Sequence, residues 1–279
     1  MITSIALMGA GGKMGCRITD NIKDMTEYDV RYVEVSERGQ ARLAERGITV
    51  TAEDAAVTDA DVVVLAVPDA LIGTICKTLI PKVKAGAMVM ALDPAAAYAG
   101  ELPERADISY FLAHPCHPPL FNDEVTEEGR TDWFGGIHAK QHIVCALHSG
   151  PEENYARGEA IARAMYAPVM NSHRVTTEQM ALLEPALVET LSATCISIIK
   201  EGMDEIVRMG VPEAAAWDFL SGHMRIEMAI IFGMAGFPFS DGAKLAIANA
   251  KSRIFRDDWK ENVFDIANVK KSVDEITKG

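Results

Sequence analysis

The chain is poor in cysteine, and its cysteines are not arranged for cross-linking. The five stand at positions 16, 76, 116, 145 and 195 of 279, an odd count with no C-x-x-C pair. That pattern excludes a disulfide framework and fits a reducing compartment. Cations are also scarce: 27 Lys and Arg stand against 40 Asp and Glu, for a net charge of −13. Binding a phosphate backbone needs clustered Lys and Arg, so no nucleic-acid partner is expected, and an anionic membrane surface is disfavoured. The longest apolar stretch, near 228–239, is far short of the roughly 20 residues that span a bilayer. No membrane association is therefore expected. Segment 1–9 has no basic start and too short an apolar run for a signal peptide, so a cytoplasmic location is expected. There is no internal repeat and no low-complexity tract.

What is present divides in two. A length of 279 residues predicts about two domains. The punctuation changes character at Gly150-Pro151, a turn dipeptide. Before it, strand candidates at 2–8, 30–35, 61–67, 87–92, 108–113 and 141–147 alternate with helical stretches such as 13–25 and 40–46. Several are near-continuous apolar runs, as strands buried on both faces of a parallel sheet are. The expectation is an α/β fold: a doubly wound Rossmann domain over 1–150, followed by an all-helical domain over 151–279. In the second part, Thr176 can cap a long helix that Gly210 ends, and Pro185 should kink or restart it. Its stretch 190–199 carries no charge. A helix without a charged face is usually buried all round, so this predicts a central helix covered by the same chain or by a second subunit. A homodimer is expected.

The first strand runs into Gly9-Ala10-Gly11-Gly12-Lys13-Met14-Gly15, readable as G-x-x-G-x-x-G or as a G-x-G start. Glycine permits the tight turn and lets the backbone approach a pyrophosphate, while the helix that follows offers its N–H groups. Strand before and helix after is the context the fingerprint requires. Glu34 ends the second strand 19 residues beyond Gly15, the distance at which an acid holds the ribose hydroxyls of NAD. Arg38 follows closely and leaves NADP open, but NAD is favoured. Pro68 closes the third strand at the edge where a dinucleotide lies.

The fifth strand ends in His114-Pro115-Cys116-His117-Pro118-Pro119. The prolines stiffen an irregular loop, and histidine exchanges protons near neutral pH, so His114 is a candidate acid–base group and His117 a candidate substrate contact. The spacing matches no closed zinc site; an open catalytic metal site stays unassigned. Glu184, beside Pro185 at the start of the uncharged helix, is a candidate base or ligand. His223 and Glu227, four apart on a predicted helix, share a face and form a candidate proton shuttle or anion clamp.

This order of parts resembles the phosphogluconate dehydrogenase and β-hydroxyacid dehydrogenase superfamily, with ketol-acid reductoisomerases and prephenate dehydrogenases similar in layout. The β-hydroxyacid dehydrogenases carry a Lys and an Asn early in the long helix; here segment 178–185 has neither. His114-Pro115 is similar to the histidine-proline of prephenate dehydrogenases, a resemblance that implies a role for His114 in hydride transfer from a hydroxyl. More narrowly, segment 113–124 with Val175-Thr176-Thr177-Glu178-Gln179 and Leu183-Glu184-Pro185 resembles a small family with a phosphogluconate dehydrogenase C-terminal-like domain, which includes D-apionate oxidoisomerases. That resemblance implies NAD-dependent oxidation of a branched sugar acid coupled to movement of a carbon group. It implies a small-molecule sugar-acid partner. With the candidates read from the residues, His114, Glu184 and His223 are the expected catalytic groups, and His117 and Glu227 the expected substrate contacts. A divalent metal at Glu184 and the histidines is one way to drive the rearrangement. A 3-hydroxyacid dehydrogenase without rearrangement, or a non-catalytic NAD sensor, are the competing expectations.

Overall fold

Alternation along β1 (Thr3–Met8) explains why the sheet is covered on both faces. Ile5 and Leu7 enter one buried cluster, and Ala6 and Met8 enter another. The pattern repeats in β3 (Val62–Leu65), where Val62 and Val64 face one core and Val63 and Leu65 the other. β4 (Met88–Ala91) is likewise buried at every residue. These are the continuous apolar runs of the sequence, and two-sided burial is their cause.

The computed structural model describes residues 2–278. Seven strands form one sheet: β2 (Tyr28–Val33), β1, β3, β4, β5 (Ser109–Pro115), β6 (Gln141–Ser149) and β7 (Val169–Arg174), in that spatial order. The first five run parallel; β6 runs antiparallel to β5, and β7 parallel to β6. One core holds Ile18 and Ile22 of α1 (Lys13–Ile22), Leu43 of α2 (Glu37–Ala44) and Ile161 and Met165 of α7 (Asn154–Met165). The other holds Val57 of α3 (Glu53–Val57) and Ile72, Cys76 and Leu79 of α4 (Asp69–Leu79). Short helices α5 (Ala95–Tyr98) and α6 (Glu127–Thr131) follow β4 and β5. Because β2 and β3 flank β1 on opposite sides, the topology reverses beside β1. In open α/β sheets that reversal opens a ligand crevice at the carboxyl ends of the strands.

Phe111 is the largest fully buried side chain, and its ring lies where a Cβ on Gly158 of α7 would sit, 2.5 Å away. Phe111→Ala is expected to destabilise the protein by about 3–5 kcal/mol, read as a lower denaturant midpoint with an unchanged slope.

The doubly wound α/β reading holds, but the sheet crosses the break read at Gly150. The turn there leads into α7, which packs on β5 and β6, and then into β7. One compact unit runs to Leu183 and takes the chain back from Lys270; the other spans Glu184–Val269. β7 escaped the sequence reading because Asn171, Ser172, His173 and Arg174 give an edge strand no apolar pattern.

The second unit is helical: α9 (Thr194–Arg208), α10 (Glu213–Ile231), α11 (Asp241–Ile254) and α12 (Trp259–Phe264), before α13 (Ile266–Lys278) leads back. The long helix exists. α8 (Thr177–Ala181) is closed at its start by the Thr176–Gln179 capping box and passes through a π-helical segment, Leu182–Ala193, into α9. Pro185 sits inside that segment, where wider winding tolerates its missing N–H, and Thr190 Oγ1 donates to its carbonyl at 2.6 Å. The expected burial all round is not found within the single chain. Ile196 is 53% exposed and Ile198 45%. Nor was the apolar run as short as the sequence suggested. The stretch Thr177–Arg208 has the length and mean hydropathy, 1.5, to cross a bilayer, and 11% of its most apolar window is buried. Scattered Ser, Thr and Glu conceal it from a search for unbroken apolar runs.

Candidate functional site

Gly9 leaves β1 with φ +70°, and a Cβ there would lie 2.3 Å from the carbonyl oxygen of Ala66, just past β3. A Cβ on Gly15 would lie 2.2 Å from the Gly9 carbonyl oxygen. Gly12 N donates to Gly9 O at 3.0 Å and closes the turn. Gly12 also stands at the N-cap of α1, which no side chain caps. The helix therefore presents its first-turn N–H groups at the crevice, as a pyrophosphate requires. Backbone packed this closely is a cradle that any side chain would fill, and it fits a dinucleotide.

Glu34 follows β2. Its Oε2 accepts from Gly11 N at 3.0 Å, and its Oε1 accepts from Ser36 N at 2.8 Å and from Ser36 Oγ at 2.9 Å. Burial opposes its charge, but the hydrogen bonds from Ser36 and Gly11 outweigh burial and hold its carboxyl below the usual range. The ionised acid lies beside the glycine turn. Pro68 is exposed and precedes α4 at the end of the β3 connection.

His114 lies at the end of β5 and is half-buried. Its Nδ1 is 2.7 Å from Leu92 O and 4.0 Å from Asp93 Oδ2. A carbonyl oxygen only accepts, so Nδ1 carries the proton and donates, and Nε2 holds the lone pair. Asp93 is itself fixed, accepting from Ala95 N at 2.7 Å. The Leu92 carbonyl thus orients the ring, and the Asp93 carboxylate stands beside the same nitrogen. Asp69 opens α4, just past the end of β3. Burial first, then the Asp93 carboxylate, push the Asp69 carboxyl up to about 6, and His114 pulls the other way.

His117 follows with φ +61°, among the described residues the one non-glycine in the left-handed region. Such backbone costs about 1–3 kcal/mol and persists where surrounding contacts hold it. Here its Nδ1 donates to Phe134 O at 2.9 Å, and its ring meets Phe134 edge-on at 5.8 Å and His114 at 6.5 Å. Lys13 Nζ lies 3.2 Å from the centroid of the Phe134 ring. The same loop is tied to α1. Arg17 pairs with Asp132 and donates to Gly135 O, and Asn21 Nδ2 donates to Gly136 O at 2.8 Å and to Met165 O at 2.9 Å. The histidine loop and the glycine turn are thus built as one piece.

The predicted residues fall into two sets. Gly9, Gly11, Gly12, Lys13, Met14, Gly15, Glu34, Pro68, His114 and His117 belong to the sheet unit, and Glu184, His223 and Glu227 to the helical unit. Glu184 is half-buried in the π-helical segment. His223 and Glu227 line one apolar cleft of about 490 Å³ between α9 and α10, with Ile199, Met203, Ile206 and Phe219. His223 Nδ1 donates to Phe219 O at 2.7 Å, and the two rings stack at 4.1 Å. Among the described residues, no three His, Cys, Asp or Glu side chains are arranged to hold a metal ion.

Asp69, Asp93 and Phe134 were missed in the sequence. The first two carried a signal, since Pro68-Asp69 and Asp93-Pro94 each follow the end of a parallel strand, where ligands bind.

Turn, acid and oriented histidine share one chemistry, hydride transfer with a nicotinamide dinucleotide, and the fold and site are those of the dehydrogenase class. Comparison with known proteins narrows this. Residues 122–277 match the family described as phosphogluconate dehydrogenase (decarboxylating), C-terminal, and residues 2–125 match the NADPH-binding domain of acetohydroxy acid isomeroreductase. A D-apionate oxidoisomerase of Rhizobium rhizogenes is 50% identical, over 99% of this chain and 100% of that protein. Another from Cupriavidus necator is 51% identical, again over 99% and 100%. A crystal structure from Cupriavidus necator, described as a semialdehyde dehydrogenase NAD-binding protein in complex with calcium and NAD, is 50% identical with a TM-score of 0.96, covering 99% of this chain and 100% of that one. The chain belongs to the phosphogluconate dehydrogenase-like family that contains the D-apionate oxidoisomerases.

Proposed function

We propose that the protein is an NAD-dependent oxidoisomerase of a small branched sugar acid, with D-apionate as the substrate. The observation that carries this reading is the oriented His114 at the crevice, in a chain half identical along its whole length to D-apionate oxidoisomerases. The glycine turn and the start of α1 hold the pyrophosphate, with Lys13 and Met14 at the mouth of that helix and Pro68 along the edge. Glu34 takes the adenosine ribose hydroxyls; its ionised carboxylate repels a 2′-phosphate and favours NAD over NADP. NAD, when bound, supplies the hydride acceptor.

The substrate hydroxyl loses its proton to His114 Nε2 while its carbon gives up hydride. Leu92 O holds the ring in the tautomer this needs, with the Asp93 carboxylate 4.0 Å from the same nitrogen. The rearrangement then moves one carbon group from the adjacent tertiary carbinol carbon to the new carbonyl carbon. The carbinol O–H gives its proton to a carboxylate, the role proposed for Glu184, and the former carbonyl oxygen takes one back from the His114 imidazolium. The migrating group takes its bonding pair to the carbonyl carbon, and the carbinol carbon becomes the new carbonyl. His117 contacts the substrate from its strained position, and His223 as a proton-transfer group and Glu227 as a substrate contact keep the roles proposed for them, on α10 of the helical unit.

Incubation with NAD and a panel of sugar acids tests this. NADH formation with D-apionate is expected; none with any acid, with NAD or NADP, overturns the reading.

A homodimer follows from the same unit. The apolar faces of α9 and α10, with Trp217 58% and Phe219 70% exposed, need cover, and a second copy supplies it better than a bilayer, because Glu184 and Glu189 lie within the same helix. Light scattering should report twice the mass of the chain, in a protein we place in the cytoplasm; a monodisperse monomer would contradict the dimer.

A further inference from the structure

The first turn of α2 holds a buried glycine, Gly39, although glycine is the poorest helix former after proline. The space a side chain would need there is already taken. A Cβ on Gly39 would lie 2.4 Å from Cδ, 2.6 Å from Cγ and 2.6 Å from Oε2 of Glu34, and these are its three nearest atoms. The missing side chain is therefore the seat of the Glu34 carboxyl group. Gly39 also serves that group from its backbone. Its N–H donates to Ser36 Oγ at 3.1 Å, and Ser36 Oγ donates in turn to Glu34 Oε1 at 2.9 Å. The glycine turn packs on the same residue, since a Cβ on Gly11 would lie 2.3 Å from the Gly39 carbonyl oxygen. α2 also brings cations here. Arg42 Nη1 donates to Gly11 O at 2.9 Å, and Arg38 stands one turn earlier on the same helix face. Arginines so placed suit a phosphate, and the acid seated beside them opposes one.

Building on the NAD-dependent reading, we propose that Gly39 is a positioning residue that sets the choice of NAD over NADP. Its lack of a side chain lets Glu34 lie against α2, with the carboxylate fixed beside the turn where it meets the adenosine ribose. A side chain at this position expels the carboxylate. The obstacle is the movable end of one side chain and not backbone, so α2 and the turn keep their places while Glu34 swings out. The ribose hydroxyls then lose their acceptor. A 2′-phosphate loses the charge that repels it and gains Arg38 and Arg42.

The test is calorimetric titration of full-length Gly39→Ala with NAD and with NADP, beside the wild type, Glu34→Ala and the double variant. Gly39→Ala should bind NAD about tenfold more weakly or worse, the scale of hydrogen bonds to a charged group, and NADP no more weakly than the wild type does. The ratio of the two dissociation constants should therefore move toward NADP by about that factor. In the Glu34→Ala background the same substitution should leave the ratio unchanged, because the group it displaces is already gone. Equal losses for NAD and NADP in Gly39→Ala would make Gly39 a structural residue and overturn the proposal, as would a further shift of the ratio in the double variant. Thermal melting of the cofactor-free proteins is the second readout. Gly39→Ala should lower the melting temperature beside Glu34 and should not lower it in the Glu34→Ala background, where alanine is the better helix former. Equal effects in the two backgrounds would contradict the seat. If Gly39→Ala does not fold, the double variant decides: it must fold as Glu34→Ala does, and its failure to fold overturns the proposal. A wild type that binds neither dinucleotide would sink the NAD reading itself, whereas NAD binding with an unmoved ratio would sink only the role of Gly39.

Discussion

His114→Asn is expected to lower kcat about 10²-fold or more, the range seen when a general base is removed. Asparagine keeps a side-chain N–H near Leu92 O, so the position stays filled and the 2.7 Å hydrogen bond can be replaced. What goes is the Nε2 lone pair. NAD binding should be unaffected, because the glycine turn and Glu34 lie on other connections. The loss should therefore fall on kcat in steady-state assays, with the NAD dissociation constant, followed by calorimetry, within twofold of the wild type. An unchanged kcat would remove His114 from the chemistry. A loss confined to KM would make it a binding group only.

Gly15→Ala is expected to weaken NAD binding roughly 10- to 100-fold. The added methyl would stand 2.2 Å from Gly9 O and 2.6 Å from Ala10 O. Both are backbone atoms of the turn itself and cannot swing aside. Relief requires opening the turn, at the cost of about 1–3 kcal/mol typical of overpacking, and the turn is the part that must fit the pyrophosphate. Gly12→Ala is the built-in comparison, since its nearest contact is 3.1 Å from Gly9 O. It should bind NAD more tightly than Gly15→Ala. Calorimetric titration with NAD reads both. Equal losses in the two variants, or none in either, would mean that the dinucleotide does not rest on this turn.

What could be read from the residues, and what could not, follows from how local each feature is. Six strands were legible because each packages its own apolar pattern, and β7 was not because an edge strand needs none. The glycine turn was legible as seven contiguous residues, 9–15. Glu34 was legible because a strand–helix–strand unit has a nearly fixed length. His114 announced itself through the prolines around it. Asp69 and Asp93 did not, because only the sheet order brings the ends of β3, β4 and β5 together. Phe134 reaches His117 and Lys13 through a loop whose anchors, Arg17 and Asn21, lie more than 100 residues earlier in the chain. The unit boundary was misplaced for a related reason. Gly150 marks a real turn, with φ +112° and a Cβ position 2.3 Å from Ser109 Oγ, but the turn lies inside the sheet unit. The long uncharged helix was foreseen, whereas the exposure of Ile196 and Ile198 within the single chain was not, because missing charge does not say what covers a face.

The most direct measurement is carbon NMR of the product formed from carbon-13-labelled D-apionate with NAD and the purified protein. The expected result is one NADH per substrate and a product whose carbon skeleton has been rearranged. NADH with the skeleton intact would reduce the protein to a simple dehydrogenase. Tight NAD binding with no product at all would mean that the site senses the dinucleotide and performs no chemistry with it.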